Sequence, residues 1–429
     1  MSDFGPPNRP RREEPPAVLL APARGGVTER KRQQLALRAF AAVSFAYFAS
    51  VGLFNPYAPL WFKYLGFSTL AIGVLAALQA WTRVVAPYAW GWVADHSGRR
   101  TELLAVAAIF ACVSSAGLLL ARSYSWVALF VLLLFLANGG IVPLSEAALS
   151  HHLQTDKGMD AGRYGRVRVW GSLGFLASAL LFGLLLQGLD IGVFPILVTT
   201  MLAGLVFAVL RLPGGAGDGP ADAAGLPGSA IDVLRSARVR WFFAGVFLTV
   251  LAHTSLYAFF SLYLDHLGYG KAAVGLFWAV SVLAEIGFFL YQGRWFHRFS
   301  PEQWLLAAAG VTALRFAATA AFGSSAVVLV VSQLLHAITF AAQHAACIAT
   351  VNRHFPGRLR GRGQALYTTL GYGLSGVLGG LAGGAISEHH GLRMVFWAAA
   401  GVALLATLSC WRAWRLEARA AAATPSSGA

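Results

Sequence analysis

Residues 91–100 read GWVADHSGRR, a segment that leads from one long apolar stretch of the chain to the next. The two stretches cover residues 68–94 and 102–121, and each contains a single charged side chain. The hydrocarbon core of a bilayer is about 30 Å thick, so a helix needs roughly 20 mostly apolar residues to cross it. The pattern therefore predicts two transmembrane helices joined by a short charged loop.

The same pattern continues along the whole chain. It predicts twelve membrane helices, numbered here in chain order, at residues 36–64, 68–94, 102–121, 125–150, 164–187, 190–211, 239–265, 271–296, 303–321, 325–351, 363–387 and 391–414. The composition agrees, because 57% of the 429 residues are hydrophobic and only 12% are charged. Soluble proteins are about one quarter charged. We therefore predict an all-α integral membrane fold.

The 33 Lys and Arg residues are divided unevenly between the two sides of this predicted membrane protein. Loops on the side of the N terminus carry 27 of them, and the opposite side carries four, which are interpreted as incidental: Lys63, Arg122, Lys271 and Arg393. Since positive loops stay in the cytoplasm, both termini are expected there. The net charge of +15 is then a topology signal, so nucleic acid is not an expected partner.

The two halves of the chain resemble each other at a constant offset of 202 residues. The offset aligns Gly73 with Gly275, and it aligns Arg83 with Glu285. A fixed offset across several helices indicates an internal repeat of six plus six helices. Transporters built in this way bind substrate near the middle of the membrane, between two halves that rock against each other.

The polar segments outside the helices define the expected domain boundaries. Residues 36–211 and 239–415 form the two predicted halves, and residues 212–238, rich in Pro and Gly, form a flexible cytoplasmic linker. Residues 1–35 and 416–429 are expected to be a disordered cytoplasmic head and a disordered tail.

Enzyme motifs are missing from the sequence. It contains no Gly-x-Ser-x-Gly elbow, no His-Glu-x-x-His site and no Gly-x-x-x-x-Gly-Lys-Ser/Thr phosphate loop. The adjacent histidines at 151–152 and 389–390 lack cysteine or acidic partners at ligand spacing. We expect no enzyme activity, no metal and no cofactor.

Segment 91–100 resembles the signature loop of the major facilitator superfamily. The resemblance rests on a glycine, an acid four residues later and a Gly-Arg-Arg end, here Gly91, Asp95, Gly98, Arg99 and Arg100. His96 departs from the pattern, because an arginine is usual there. We interpret the five matching residues as a gating loop, with the acid at the helix end and the arginines in the lipid headgroup layer.

Three further segments, at residues 55–61, 164–175 and 333–344, together with Arg83, Glu285 and Arg315, resemble the 3-phenylpropionate transporter group. This group is related to the nucleoside and lactose proton symporters. The resemblance implies a monomeric, multi-pass protein of the bacterial inner membrane. It also implies symport of a small aromatic carboxylate with protons by alternating access, with the proton gradient as the driving force.

Charged residues inside membrane helices are the first candidates for the site, because a charge at mid-bilayer costs at least about 2.5–3.5 kcal/mol. Lactose permease is similar in carrying an acid, an arginine and a histidine in helices 8, 9 and 10. This similarity implies that Glu285, Arg315 and His336 take part in proton coupling and substrate binding. Glu285 is the expected proton carrier and Arg315 the expected partner of a substrate carboxylate. The alternative is a buried Glu285–Arg315 pair that only fixes helix packing.

Predicted helix 10 carries a polar stripe. At 100° per residue, one third of its circumference holds Gln333, His336, Phe340, Gln343 and His344. This face is suited to lining a cavity for an aromatic polar solute.

Predicted helices 2, 4 and 5 hold the remaining candidates. Similarity to the nucleoside symporters implies substrate-binding roles for Arg168, Ser172 and Phe175, although Arg168 can also be read as an anchor at the membrane boundary. Arg83, like Arg315 and Arg168, is a candidate for binding an anionic solute. It could also pair with Glu146 between helices 2 and 4, and Glu146 is a second candidate proton site. Two other functions stay open, a nucleoside or sugar proton symporter and a membrane receptor that does not transport.

Overall fold

The structure is a computed structural model that describes residues 24–155, 158–213 and 230–423. In these ranges the chain forms twelve apolar helices long enough to cross a membrane. They are α1 (Arg24–Tyr64), α2 (Thr69–Ser97), α3 (Arg100–Gly117), α4 (Tyr124–His152), α5 (Ala161–Gly188), α6 (Ile191–Val209), α7 (Ala237–His266), α8 (Lys271–Arg294), α9 (Pro301–Phe322), α10 (Ala326–His354), α11 (Arg360–His390) and α12 (Leu392–Ala423). A ladder of two two-residue strands, Gln154–Thr155 and Gly158–Met159, follows α4. The all-α membrane fold predicted from the sequence is confirmed.

Several helices extend beyond their predicted ends. The first begins at Arg24, so residues 24–35, predicted to belong to a disordered head, are helical. The prediction was wrong there because residues 28–38 consist almost entirely of Glu, Arg, Lys, Gln, Leu and Ala, which favour a helix even where they are too polar for a membrane. For the same reason α12 continues to Ala423, past the predicted start of the tail at residue 416.

The predicted linker is partly helical as well. A short helix at Ala230–Arg235 precedes α7, which begins at Ala237. The rest of the predicted head, linker and tail, at residues 1–23, 214–229 and 424–429, lies outside the described residues.

The helices form two six-helix halves, α1–α6 and α7–α12. An even number of crossings brings the start of α1 and the end of α12 to one side, called here the terminal side, and the opposite side is called the far side. One buried apolar cluster runs through the first half and crosses into the far-side part of the second half. A separate cluster, which includes Val239 and Phe355, fills the terminal side of the second half. The halves are therefore packed together on the far side and parted on the terminal side.

Glycines allow the halves to approach closely on the far side. A Cβ atom at Gly380 of α11 would lie 2.7 Å from the carbonyl oxygen of Gly73 and 2.8 Å from the amide nitrogen of Ala77, both in α2. The repeat-related contact lies between α8 and α5, where Gly275 packs against the carbonyl group of Ala179. Since both contacts join backbone to backbone, neither helix pair can approach so closely with larger residues at these glycines.

Polar contacts close the same side. Lys63 Nζ lies 2.7 Å from Asp265 Oδ2, and these positions are 202 residues apart, so the ion pair joins equivalent ends of α1 and α7. Glu388 of α11 accepts a hydrogen bond from the backbone amide of Leu70 at the start of α2. Gln187 of α5 likewise accepts one from Ala272 at the start of α8. Lys63, one of the four basic residues interpreted as incidental, thus forms an exposed ion pair between the halves.

Candidate functional site

A cavity of about 350 Å³ lies between the two halves. Its volume is near the lower end of the range of about 300–1,000 Å³ that is usual for small-molecule sites. The lining comes from both halves and consists of Phe48, Asn55, Ala76, Gln79, Ala80, Arg83, Val250, Thr254, Tyr257, Ala258, Phe340, Tyr372 and Gly376. It contains one cation, four aromatic rings and no carboxylate.

Arg83 of α2 supplies the cation. Its side chain is exposed, and within the described part of the chain it has no hydrogen-bonded or ionic partner. The predicted pairing with Glu146 was wrong, because the carboxylate of Glu146 instead lies 3.2 Å from the Tyr164 hydroxyl and 3.9 Å from Arg168 Nε. A guanidinium group without a counterion, facing a lining without acids, is suited to receive an anion.

The aromatic rings of the second half stand in π-helical turns. Tyr257 lies in the turn Ser255–Phe259, Phe340 in Ala337–Ala342, and Tyr372 in Tyr367–Leu374. A π turn holds an extra residue and rotates the side chains that follow it, and such turns occur often at functional sites. Tyr257 and Tyr372 were not predicted, because an uncharged ring does not stand out in a sequence with 29 Phe, 13 Trp and 12 Tyr residues. The repeat offers a partial signal, since Tyr257 corresponds to Asn55, which lines the same cavity.

A side pocket of about 90 Å³ adjoins the cavity within the first half. It shares Asn55 and Arg83 with the cavity, and Phe54 and Phe135 are among its apolar wall residues. Asn138 of α4 also lines the pocket, and its Oδ1 atom is buried without a hydrogen-bond partner in the described residues.

Arg315 of α9 is placed differently from Arg83. It is 1% exposed and does not belong to the cavity lining. Its guanidinium group donates to four side chains of α10: Ser332 Oγ at 3.2 Å, His336 Nδ1 at 2.8 Å, Thr339 Oγ1 at 3.0 Å and Gln333 Oε1 at 3.1 Å. These bonds anchor α9 to α10, and they replace the direct contact with Glu285 that the sequence suggested.

His336 connects Arg315 to Glu285. Its Nδ1 atom faces a guanidinium group, which can only donate, so Nδ1 must accept and the proton of the neutral ring must lie on Nε2. That Nε2 atom is 3.0 Å from Glu285 Oε1 and donates to it. The ring of Tyr257, which lines the cavity, lies 6.5 Å from the His336 ring. Arg315 thus fixes the tautomer of His336, and His336 holds the Glu285 carboxylate near the cavity wall.

The residues of the predicted polar stripe on α10 make different contacts. Phe340 is the member of the stripe that lines the cavity, and it stacks against His336 at 5.2 Å and His344 at 6.2 Å between ring centroids. Gln333 is bound to Arg315. His344 Nδ1 lies 3.0 Å from the Tyr367 hydroxyl, which lies 3.2 Å from that of Tyr372 at the cavity.

The three candidates on α5 do not line the cavity themselves, but they lie near residues that do. Arg168 lies over the ring of Phe48, with 4.4 Å from Cζ to the ring centroid, and Phe48 lines the cavity. Phe175 packs against Trp278 of α8, with ring centroids 6.3 Å apart. Ser172 lies between them on α5 and is half-buried.

The signature segment forms the tight connection from α2 to α3 on the terminal side. Gly98 ends α2 with a φ of 67°, a conformation that glycine adopts without strain. Asp95 Oδ1 lies 3.4 Å from the guanidinium group of Arg100, the first residue of α3, and Arg99 lies 3.5 Å from Glu102. A Cβ atom at Gly91 would meet nothing within 4 Å, so this glycine lies beyond the close contact of the halves.

Comparison with known proteins agrees with this geometry. Residues 37–398 match the model of the MFS_1 like family. A probable 3-phenylpropionic acid transporter of Escherichia coli (strain K12) is 29% identical over 361 residues, which cover 84% of this chain and 93% of that protein. The maltose permease of Geobacillus stearothermophilus is also 29% identical, over 77% of this chain and 82% of that one.

Solved structures support the same fold. The crystal structure of a mutant of the nucleoside transporter NupG superposes with a TM-score of 0.79 at 19% sequence identity, over 88% of this chain and 99% of that one. At this identity the likeness concerns the fold alone. The family model, by contrast, covers most of the chain. The protein therefore belongs to the MFS_1 like family, within the major facilitator superfamily of secondary transporters, and is a multi-pass membrane transporter rather than an enzyme.

Proposed function

We propose that this transporter carries a small aromatic carboxylate, such as 3-phenylpropionate, together with protons. The observation that carries the proposal is Arg83, an unpaired guanidinium group in a cavity lined by aromatic rings and free of acids. The similarity to a probable 3-phenylpropionic acid transporter supports the same substrate class.

The geometry of the cavity suits both ends of such a molecule. A carboxylate can accept two parallel hydrogen bonds from a guanidinium group, and charge-assisted bonds of this kind are about twice as strong as neutral ones. The ring can then pack edge-to-face or offset against Phe48, Tyr257, Phe340 and Tyr372. Of the cations that the sequence suggested for an anionic substrate, Arg83 is therefore preferred to Arg315, whose donors are engaged with α10.

Glu285 is the proposed proton carrier. It occupies the position in the second half that Arg83 occupies in the first, 202 residues away, so an acid and a base stand at equivalent places. Its side chain is 20% exposed and receives the Nε2 proton of His336. Protonation of Glu285 would take the counter-charge from the buried Arg315 guanidinium at the other end of the His336 bridge, so this network would have to rearrange, and proton uptake would thereby be coupled to the change of conformation.

We place both termini in the cytoplasm, because 27 of the 33 basic residues lie on that side. The described conformation, closed on the far side, is then an inward-facing state. Alternating access would part the far side and close the terminal side around the same cavity.

A neutral nucleoside or sugar is the second candidate substrate. The side-chain amides of Asn55 and Gln79 line the cavity and could bind hydroxyl groups. The similarities to a maltose permease and a nucleoside transporter favour this class. A neutral solute, however, would leave the guanidinium group of Arg83 without a counterion.

The proposed substrate class can be tested by calorimetric binding to the purified protein. We expect wild type to bind 3-phenylpropionate and to bind its neutral analogue 3-phenylpropanol much more weakly. Arg83→Gln should weaken binding of the acid roughly 10- to 150-fold, since a hydrogen bond to a charged group contributes roughly 1.5–3 kcal/mol, and should leave the alcohol unaffected. Arg122→Gln, at an exposed far-side arginine outside the cavity, is the matched control.

Two outcomes would contradict the assignment. If Arg83→Gln binds the acid as tightly as wild type does, another cation such as Arg315 must bind the carboxylate. Binding of adenosine or maltose, with no binding of the acid, would favour the neutral class of substrate.

A further inference from the structure

The side-chain amide of Asn138 is a polar group at the site that the proposed transport of 3-phenylpropionate does not use. It lines the side pocket that shares Asn55 and Arg83 with the central cavity. Neither atom of this amide has a hydrogen-bond partner in the described residues, and Oδ1 is buried. Because Oδ1 has almost no accessible surface, the amide atom left to face the pocket is Nδ2, a donor that a group from outside the chain can satisfy.

The surroundings of Asn138 restrict what that partner can be. The pocket wall beside it is built mainly of apolar side chains, including Phe54, Phe135 and Leu202. The hydroxyl groups of Ser50 and Thr82 also face the pocket, but they donate to the backbone carbonyls of Tyr47 and Gln79. The pocket is therefore largely apolar, with the Asn138 amide and the Tyr47 hydroxyl on its wall, and with Asn55 and the free guanidinium group of Arg83 where it adjoins the cavity.

We infer that Asn138 binds a hydroxyl group on the aromatic ring of the substrate, so that the preferred substrate is a hydroxylated aryl carboxylate. This inference rests on the proposed function and specifies its substrate class. The carboxylate would bind Arg83, and the hydroxyl-bearing edge of the ring would enter the side pocket. A volume of about 90 Å³ accommodates that edge, while the remainder of the ring stays in the larger cavity.

A hydroxyl group fits the amide in either orientation. It can donate to the amide oxygen, or accept from the amide nitrogen, so the match does not depend on how oxygen and nitrogen are assigned in the side chain. A bare phenyl ring would bury the amide without satisfying it. The free-energy cost of burying the unpaired amide makes the analogue without a hydroxyl group bind more weakly than the hydroxylated ligand.

The repeat supports a specific role for Asn138. The equivalent position of the second half is Phe340, 202 residues later, which lines the central cavity from the opposite side. One half thus presents an aromatic ring and the other an amide at equivalent places. Apolar packing alone does not require an amide at position 138.

The test is calorimetric binding of three acids to the purified full chain: 3-phenylpropionate, 3-(3-hydroxyphenyl)propionate and 3-(4-hydroxyphenyl)propionate. We expect at least one hydroxylated acid to bind wild type about tenfold more tightly than 3-phenylpropionate, as one satisfied hydrogen bond allows. Asn138→Leu, nearly the same size, should abolish this preference and leave the affinity for 3-phenylpropionate unchanged or higher. Asn352→Leu is the matched control, because Asn352 also has a buried, unpaired Oδ1 but lies outside the cavity.

The outcomes separate this inference from the function on which it rests. If all three acids bind wild type equally and Asn138→Leu changes none of the affinities, the amide has only a water partner and the inference is overturned, while the proposed transport of aromatic acids stands. If none of the acids binds and a neutral solute does, the proposed function fails, and the inference with it. A fold defect in Asn138→Leu would appear as a lower midpoint of thermal unfolding, and the comparison of the three acids is then made in Asn138→Ala, which removes the amide without adding volume or charge.

Discussion

Replacement of Gly380 by leucine is expected to abolish transport without unfolding either half. A Cβ atom at this position already lies within 2.8 Å of two backbone atoms of α2, and backbone cannot rotate away as a side chain can. Overpacking by single methylene groups costs roughly 1–3 kcal/mol, and leucine adds four carbon atoms. Because α2 and α11 belong to different halves, the clash can be relieved by parting the halves on the far side.

The measurement combines two assays. Uptake into proteoliposomes should fall to the background level, and spin labels at Leu120→Cys and Ser324→Cys, on a background lacking the native cysteines, should report a longer distance across the far side. Leu120 is 86% exposed, so its label should not disturb packing. Gly204→Leu is the control, because a Cβ atom there meets nothing within 4 Å. Uptake by Gly380→Leu at the wild-type rate would show that the far-side contact does not have to close during transport.

Replacement of Glu285 by glutamine is expected to separate substrate movement from proton movement. The amide oxygen of glutamine can still accept the Nε2 proton of His336, so the network with Arg315 should persist, but the group can no longer take up a proton. Accumulation driven by a pH gradient should vanish, while exchange of labelled for unlabelled substrate should continue at a rate near that of wild type.

Two control variants test whether the loss of accumulation is specific to Glu285. Glu102→Gln removes an exposed acid paired with Arg99 and should leave accumulation intact. Glu146→Gln removes the second candidate acid, whose side chain is 44% exposed and lies near Arg168 and Tyr164. Uphill accumulation that survives in Glu285→Gln but is lost in Glu146→Gln would transfer the proton-carrying role to Glu146.

Hydrophobic segments and glycine spacing were sufficient to predict the twelve helices and their division into two halves. Hydrophobic segments indicate burial in the membrane, and glycines indicate close contact between helices. Both properties depend on the local composition of the chain. The offset that aligned Gly73 with Gly275 also identifies a structural relation, since both glycines lie in far-side contacts between halves. Arg83 and Glu285 could be named as candidates because charged groups inside membrane helices are rare, and Phe340 because it shares a face of helix 10 with several polar side chains.

Partners could not be predicted in the same way. The sequence suggested that Glu285 contacts Arg315 and Arg83 contacts Glu146, whereas His336 lies between the first two and Arg168 approaches Glu146. A charged side chain inside the membrane can reach partners on several neighbouring helices. Its position in the sequence therefore does not determine which partner it contacts. Tyr257 and Tyr372 line the cavity from π turns, but their uncharged rings could not be told apart from the many other aromatic residues of the apolar helices.

The most direct test of the account is uptake of labelled 3-phenylpropionate into proteoliposomes with an imposed pH gradient, acidic on the side from which uptake is measured. We predict initial uptake by wild type well above that of protein-free liposomes and competition by other aromatic acids but not by adenosine or maltose. At low substrate concentration, uptake by Arg83→Gln should be lower than that of wild type by roughly 10- to 150-fold. Uptake that does not depend on the protein, or that is displaced by a neutral nucleoside or sugar and is unaffected by Arg83→Gln, would contradict the assignment of this cavity to aromatic carboxylates.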